Sequence, residues 1–361
     1  MHKRIILETT AVEQDGDSGI KRIVKAFMHG LSSNGWTVTP IAYRQRSRLV
    51  GKIRGFWYFN VHLREYLGKS LAKEKSLFVV PNNMSKFIRL PHEKSIFLIH
   101  DLIPLDHRIG YSGIRLLIYK HKISLLKSAK GCLTVSHYVA KQLTNSLGLP
   151  AEKIRVVYDV LDPIFSTRDC SVSRQFEEKV SRFGPYILAV GTGEPRKNLD
   201  VVLNNLRQVY ERYRFKLILF GGDWQGEGHR SVYRKIRQLD LDNIILHLRR
   251  VDDDELKYLY QKCQLFIYPS LAEGFGLPPL EAMSQGAKII LSDLEVFREI
   301  YGATATYIDP ENTGDLILKI GQALEKESNI SAIQELLNRY DVKTYGRNLN
   351  DAVLGFMHGV E

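Results

Sequence analysis

The stretch that decides the fold is Pro269-Ser-Leu-Ala-Glu273-Gly-Phe-Gly276-Leu-Pro278-Pro-Leu-Glu281-Ala-Met283. Before it runs Leu265-Phe-Ile-Tyr268, a short apolar run that reads as a buried strand. Gly274 and Gly276 then form a loop whose backbone N–H groups can come close to a ligand. Pro278 and Pro279 predict a helix start, because the first turn does not need the N–H that proline lacks. A strand that passes through a glycine loop into a helix is suited to phosphate, since the helix N-terminus carries partial positive charge. Glu273 precedes this helix, and Glu281 is expected in its first turn. A glutamate there could simply complement the helix dipole. The whole strand–loop–helix context is what points to an anion site.

Outward from this stretch, short β-branched runs alternate with helical patterns, the signature of α/β units on parallel sheets. Strands are expected at 4–7, 76–80, 95–99, 132–135 and 154–157, with helices at 19–31 and 113–128 and Ser136 capping a further one. Residues 163–184 are polar and mixed and read as a linker and lead-in. A second series follows, with strands at 186–190, 216–220, 243–247, 265–268, 288–291 and 306–308. The chain of 361 residues therefore divides into domains at 1–163 and 164–340, with a tail at 341–361. Doubly wound sheets bind ligands at the C-terminal ends of their strands, so two such domains would face a common cleft.

Three further segments carry chemistry. Gly191-Thr-Gly193-Glu194-Pro-Arg196-Lys197-Asn198 follows a strand and precedes a helix. Arg196 and Lys197 oppose the dipole of that helix and call for an anion such as a diphosphate. Arg196 stands where a dinucleotide fingerprint needs its third glycine, so that motif is absent. In Phe97-Leu-Ile-His100-Asp101, the last two residues end a buried strand and form either an orienting pair or a turn. Residues 10–20 form a glycine-containing loop, either over a ligand or plainly at the surface. Asp252-Asp-Asp-Glu255 precedes a helical pattern, so capping explains it better than a metal.

Composition narrows the class. Hydrophobic residues at 44% and charged residues at 25% exclude disordered and fibrous chains. Three cysteines, far apart and with no C-x-x-C pair, argue against a disulfide scaffold and for a reducing, cytoplasmic setting. No apolar run approaches a membrane span. The net charge of +11 is uneven, since residues 1–165 hold 26 Lys and Arg against 12 Asp and Glu. Arg44, Arg46, Arg48, Lys52 and Arg54 lie beside Phe56-Trp57-Tyr58-Phe59. Such a patch suits an anionic membrane surface or a lipid phosphate, or is only a solvated basic surface; no nucleic-acid motif accompanies it.

Taken in order, these segments resemble a retaining glycosyltransferase of family 4, of the bacterial polysaccharide type. The resemblance rests on Gly19-Ile-Lys-Arg22, Ile99-His100-Asp101, Leu133-Thr-Val-Ser136, Val157-Tyr-Asp-Val-Leu-Asp162, Gly193-Glu-Pro-Arg-Lys-Asn198, Val251-Asp-Asp-Asp-Glu-Leu256 and Glu273-Gly-Phe-Gly-Leu-Pro-Pro-Leu-Glu281. It implies the GT-B fold, two Rossmann-like doubly wound parallel-sheet domains facing across a cleft, with a C-terminal helix returning to the first. It also implies a hexose moved from UDP-hexose or GDP-mannose to a glycan or lipid-linked glycan, without a cofactor or metal. Arg196 and Lys197 would hold the diphosphate, and Glu281 the ribose. Glu273, with Gly274, Phe275, Gly276 and Leu277, would hold the hexose and phosphate. His100 would lie at the hexose, Gly19 over the phosphates, and Arg250 and Val251 beside the base. His100, Arg196, Lys197 and Glu273 are thus the expected catalytic residues. A sugar-nucleotide epimerase and a non-catalytic binder of anionic surfaces are the alternatives.

Overall fold

The computed structural model describes residues 3–9, 19–42, 76–81, 92–106, 109–110, 112–191, 193–221 and 227–358. The chain divides into two compact units. One holds residues 1–160 and 339–361, the other residues 161–338. Each carries a six-stranded, wholly parallel sheet.

The first sheet comprises β1 (Arg4–Glu8), β2 (Thr37–Ile41), β3 (Ser76–Val80), β4 (Ser95–Ile99), β5 (Gly131–Thr134) and β6 (Ile154–Val156). Their order is β2-β1-β3-β4-β5-β6. Strands β3, β4 and β5 are buried along their whole length, which is why they are near-continuous apolar runs. The strand β2 has no such run and was not expected. It is half-exposed at the end of the described order and contains Pro40, a residue that edge strands tolerate. The pattern expected as one helix at 113–128 ends as a helix at Gly113–Ser124 and continues as a 3-10 turn over Leu125–Ser128. Ser136 caps the His137–Leu147 helix, its Oγ accepting from the Val139 N–H.

The final helix, Val342–His358, belongs to this first unit and packs on the Gly19–Ser32 helix. Gly30 and Gly346 permit the close approach: a Cβ on Gly30 would stand 3.2 Å from the Gly346 Cα. The indole N–H of Trp36 donates to Asn350 Oδ1 at 3.0 Å. Phe356 presses its ring onto Gly131 at the start of β5.

The second sheet comprises β7 (Tyr186–Val190), β8 (Lys216–Phe220), β9 (Ile245–Leu248), β10 (Leu265–Tyr268), β11 (Ile289–Ser292) and β12 (Thr306–Ile308), in the order β12-β11-β10-β7-β8-β9. The chain runs outward from β7 through β8 to β9, then crosses back to lay β10 on the other side of β7. That reversal opens a crevice at the C-terminal ends of β7 and β10, where open α/β sheets bind ligands. Ile187, Ala189, Leu217, Leu265 and Ile267 meet the buried face of the Leu199–Tyr213 helix in one core.

Residues 163–184 are not a loose linker. Phe165 is buried, and Arg174–Phe183 is a helix capped by Ser173. The backbone between them is pinned by side chains. Gln285 donates to the carbonyls of Phe165 (2.9 Å) and Thr167 (3.2 Å). Gln261 donates to that of Arg168 (2.6 Å), and Lys257 to that of Asp169 (2.9 Å). The segment is polar in sequence because side chains from elsewhere, rather than a sheet ladder, satisfy its carbonyls.

The Phe356 contact gives a direct test of the returning helix. A Cβ on Gly131 would meet the Phe356 ring at 2.1 Å. Gly131→Ala should therefore cost about 1–3 kcal/mol in urea unfolding, as overpacking does. Adding Phe356→Leu to that variant should recover part of the loss; no recovery would contradict the packing described.

Candidate active site

The crevice between β7 and β10 brings two of the sequence segments together. After β7, Pro195–Lys197 form a single 3-10 turn, and the long helix starts only at Leu199. Asn198 makes the junction in a left-handed conformation (φ 50°), its side-chain amide donating to the Pro310 carbonyl at 2.9 Å. The Leu271 N–H donates to the Arg196 carbonyl at 2.7 Å, tying the β7 loop to the β10 loop.

Glu273 is the hub. Its Oε1 accepts from Arg196 Nη1 at 2.7 Å, Lys197 Nζ at 2.8 Å and the Tyr268 hydroxyl at 2.9 Å. Lys197 also donates to the Tyr268 hydroxyl and lies over its ring, 4.5 Å from the centroid. Arg196 Nε donates to Glu194 at 2.6 Å. The sequence reading expected a diphosphate against these cations; the anion that the structure pairs with them is a protein carboxylate, Glu273. Tyr268 was not foreseen, because the last residue of an apolar strand reads as core.

The environment sets the charges. Lys197 is almost fully buried, and Arg196 remains a quarter exposed. Burial alone would raise Glu273, but Lys197 and Arg196 outweigh it and hold its carboxyl below the ordinary value. Burial, with repulsion from Arg196, pulls Lys197 below its ordinary value although Glu273 opposes this. Burial would lower Arg196, but Glu273 and Glu194 keep it above its ordinary value. Cations fixed in this way can meet a developing negative charge without reorganisation. Among the described residues Arg196 Nη2 has no partner, so one edge of its guanidinium remains for a ligand.

The β10 loop ends at Gly276, whose φ of +94° suits glycine, and a Cβ there would collide with Phe297 at 2.7 Å. The Tyr301 hydroxyl donates to the Gly276 carbonyl. The helix spans Leu277–Ser284 with prolines as its second and third residues, so donors at this end come from Gly276 and Leu277. Gly274 and Phe275 are buried in the same loop. Glu281 is the fifth residue of this helix, one position further along than a start at Pro278 would place it, because the helix opens at Leu277. Its Oε2 accepts from the Tyr260 hydroxyl at 3.2 Å. Arg250 and Val251 follow β9, two strands from β7, on the same edge of the sheet. Asp252 and Glu255 form a reciprocal capping box on the Asp253–Lys262 helix, as the sequence suggested.

In the first unit, His100 directly follows β4. Its Nε2 lies 3.2 Å from the Pro81 carbonyl, which can only accept, so Nε2 carries the proton. Its Nδ1 lies 4.0 Å from Asp159 Oδ2. Asp101 takes the turn role, Oδ1 accepting from the Ile103 N–H at 3.0 Å. The carboxylate beside His100 is therefore Asp159, brought from the segment after β6. Gly19 opens the first helix, while residues 10–18 and the basic stretch at 44–59 lie outside the described residues.

A protein with this fold and this cluster falls among the GT-B enzymes. Residues 173–345 match the family model of glycosyl transferases group 1. The chain is 30% identical over 269 residues to O-antigen chain mannosyltransferase B of Escherichia coli, covering 74% of this chain and 68% of that one. It is 28% identical over 244 residues to O-antigen chain mannosyltransferase RfbU of Salmonella typhimurium. That match covers 67% of this chain and 64% of that protein's length. Among solved structures, sucrose-phosphate synthase from Thermosynechococcus elongatus superposes with a TM-score of 0.76 at 14% identity, covering 99% of this chain and 100% of that one. HepE of Anabaena, solved with UDP-glucose, gives 0.70 at 17%, covering 98% and 100%. The structural likeness concerns the fold. The chain belongs to the glycosyl transferases group 1 family.

Asp159 carries a pH signature. Burial, partly offset by His100, raises its carboxyl from the ordinary 3.8 to about 6. The folded protein holds this proton more tightly than the unfolded chain, so the stability it contributes is full below about pH 4 and is lost as pH rises through about 6. The two-unit shift corresponds to about 3 kcal/mol. Asp159→Asn lacks this titration. Urea unfolding from pH 4.5 to 7.5 should show the variant gaining on the native protein by about 2 kcal/mol, levelling above pH ~6.5. A gap independent of pH would contradict the assignment.

Proposed function

We propose that this chain is a retaining hexosyltransferase of polysaccharide assembly, with GDP-mannose as its first candidate donor and UDP-hexose as the second. The observation that carries this reading is the Arg196–Lys197–Glu273 cluster at the β7/β10 crevice. The mannosyltransferase names of the relatives favour mannose. The acceptor in this reading is a growing glycan on a lipid carrier, and the enzyme works in the cytoplasm. Among the described residues no helix is long and apolar enough to cross a membrane.

The reaction breaks the bond between the hexose anomeric carbon and the phosphate oxygen. It forms a bond from that carbon to the acceptor oxygen on the same face, and the acceptor proton passes to the departing phosphate. Negative charge grows on the diphosphate as the bond breaks. Arg196 and Lys197, held by Glu273, stabilise that charge more than the ground state, and this difference lowers the barrier. These two cations supply the charge compensation in this reading, so no metal is needed. Donors at the end of the β10 loop add to them. Glu273 keeps the cations in register and turns its second oxygen toward the hexose. Glu281 binds the ribose, and Arg250 and Val251 lie beside the base. Gly19 covers the phosphates, and His100 is the group that the resemblance assigns to the hexose.

A panel of nucleotide sugars tests the reading, with donor hydrolysis and thermal shift as readouts. A bound donor at 100 times its dissociation constant should stabilise the fold by about 2.7 kcal/mol. Lys197→Ala should lower turnover on the order of 10²-fold or more, the loss seen when one preorganised donor is removed. Excess EDTA should leave turnover unchanged. A product of inverted anomeric configuration, or an epimerised donor formed without acceptor, would overturn the proposal.

A further inference from the structure

The Gly113–Ser124 helix has one apolar face more than the fold uses. Ile123 is buried, Leu116 and Tyr119 are half-buried, and Leu126 of the following turn is buried with them. This face anchors the helix. On the outside, Ile114, Leu117 and Ile118 are 73%, 67% and 49% exposed. At spacings of three and four they adjoin on one face. They are three of the six large apolar side chains exposed among the described residues, all within five positions. Single exposed apolar residues are ordinary, but a contiguous row marks an interaction surface.

The charge around the row selects the partner. Arg115 and Lys120 are exposed on the same helix, and Lys127 is exposed one turn beyond. The sequence from His107 to Ala151 contains seven Lys and Arg and no Asp or Glu. Folded proteins rarely leave 45 residues without an acid, and here the acid-free stretch surrounds the exposed row. A second copy of this chain is a poor fit, because antiparallel pairing of two such helices would bring the exposed Arg115 and Lys120 toward the same cations of the other copy, and the helix itself carries no acid. Nucleic acid has no use for a row of isoleucine and leucine. An anionic bilayer takes both features: acyl chains accept the apolar row, and headgroup phosphates accept the cations.

We infer that the outward face of the Gly113–Ser124 helix docks the first unit on an anionic lipid surface. Ile114, Leu117 and Ile118 enter the headgroup boundary, and Arg115, Lys120 and Lys127 pair with lipid phosphates. The surface is distinct from the basic stretch at 44–59. The inference goes beyond the proposed reaction and does not rest on it.

Vesicle sedimentation of the full chain tests it, with phosphatidylcholine alone and with about 40% phosphatidylglycerol added. The native protein should bind the anionic vesicles and not the neutral ones, and 0.5 M salt (roughly a 4 Å screening length) should weaken binding. The triple variant Ile114→Gln, Leu117→Gln, Ile118→Gln should lose on the order of tenfold in partitioning, as should Arg115→Gln with Lys120→Gln. All five positions face solvent, so both variants should keep the native melting temperature and the native rate of donor hydrolysis. Equal binding to both vesicles, no binding, or a triple variant that binds like the native protein would overturn the inference. So would a native dimer that the triple variant abolishes, which would assign the face to a second copy. Lost donor hydrolysis in the native protein would count against the reaction and leave the lipid result standing.

Discussion

One oxygen atom organises the second unit. Glu273 Oε1 accepts from Arg196, Lys197 and Tyr268, and these come from both sides of the sheet reversal. Burying Lys197 and Glu273 together is tolerable only because each satisfies the other; breaking such a pair typically costs about 3–5 kcal/mol. The network therefore locks the β7 loop to the β10 loop. It also holds two cations where a parallel sheet directs a ligand. The surrounding features follow from this need. Asn198 takes a left-handed conformation to turn the chain after the cations, and Gly276 takes one to turn it after the carboxylate. Tyr268 fills the space between them with a ring against Lys197 and a hydroxyl against Glu273.

The ion pairs of the same network differ in strength. Glu273 and Glu194 balance the charges of Arg196 and Lys197. Glu194 is half-exposed, and its ion pair is worth little in water. Glu273 is nearly enclosed and holds its place. The exposed pair is therefore the weak one and the enclosed pair the strong one, so Glu273 is what fixes the orientation of both cations.

Much of this was legible in the sequence, for definable reasons. Buried parallel strands are continuous apolar runs, so β7, β8, β10 and β12 were readable to the residue, while β9 and β11 lie one or two residues further along. The edge strand β2 was not readable, because half-exposure and Pro40 remove the run. The strap at 163–173 looked like a linker because its partners, Gln261, Gln285 and Lys257, lie about 90 to 120 residues away. Arg196, Lys197 and Glu273 were each marked by motif. That they bind one another was hidden, since the crossover of the sheet sets it. Asp159 was hidden in the same way: adjacency in sequence pointed to Asp101, whereas strand order brings Asp159 to His100. The helical spacing at 113–128 did not show which apolar residues face outward, because a helix with two apolar faces has no clean period.

The central claim is that the Arg196–Lys197 pair, braced by Glu273, grips a diphosphate. A crystal structure of this chain with GDP or UDP tests it most directly. The account requires phosphate oxygens within hydrogen-bond distance of the Arg196 guanidinium and of Lys197 Nζ, with Glu273 still in contact with both cations. A diphosphate bound elsewhere, with both cations turned away from it, would contradict the account.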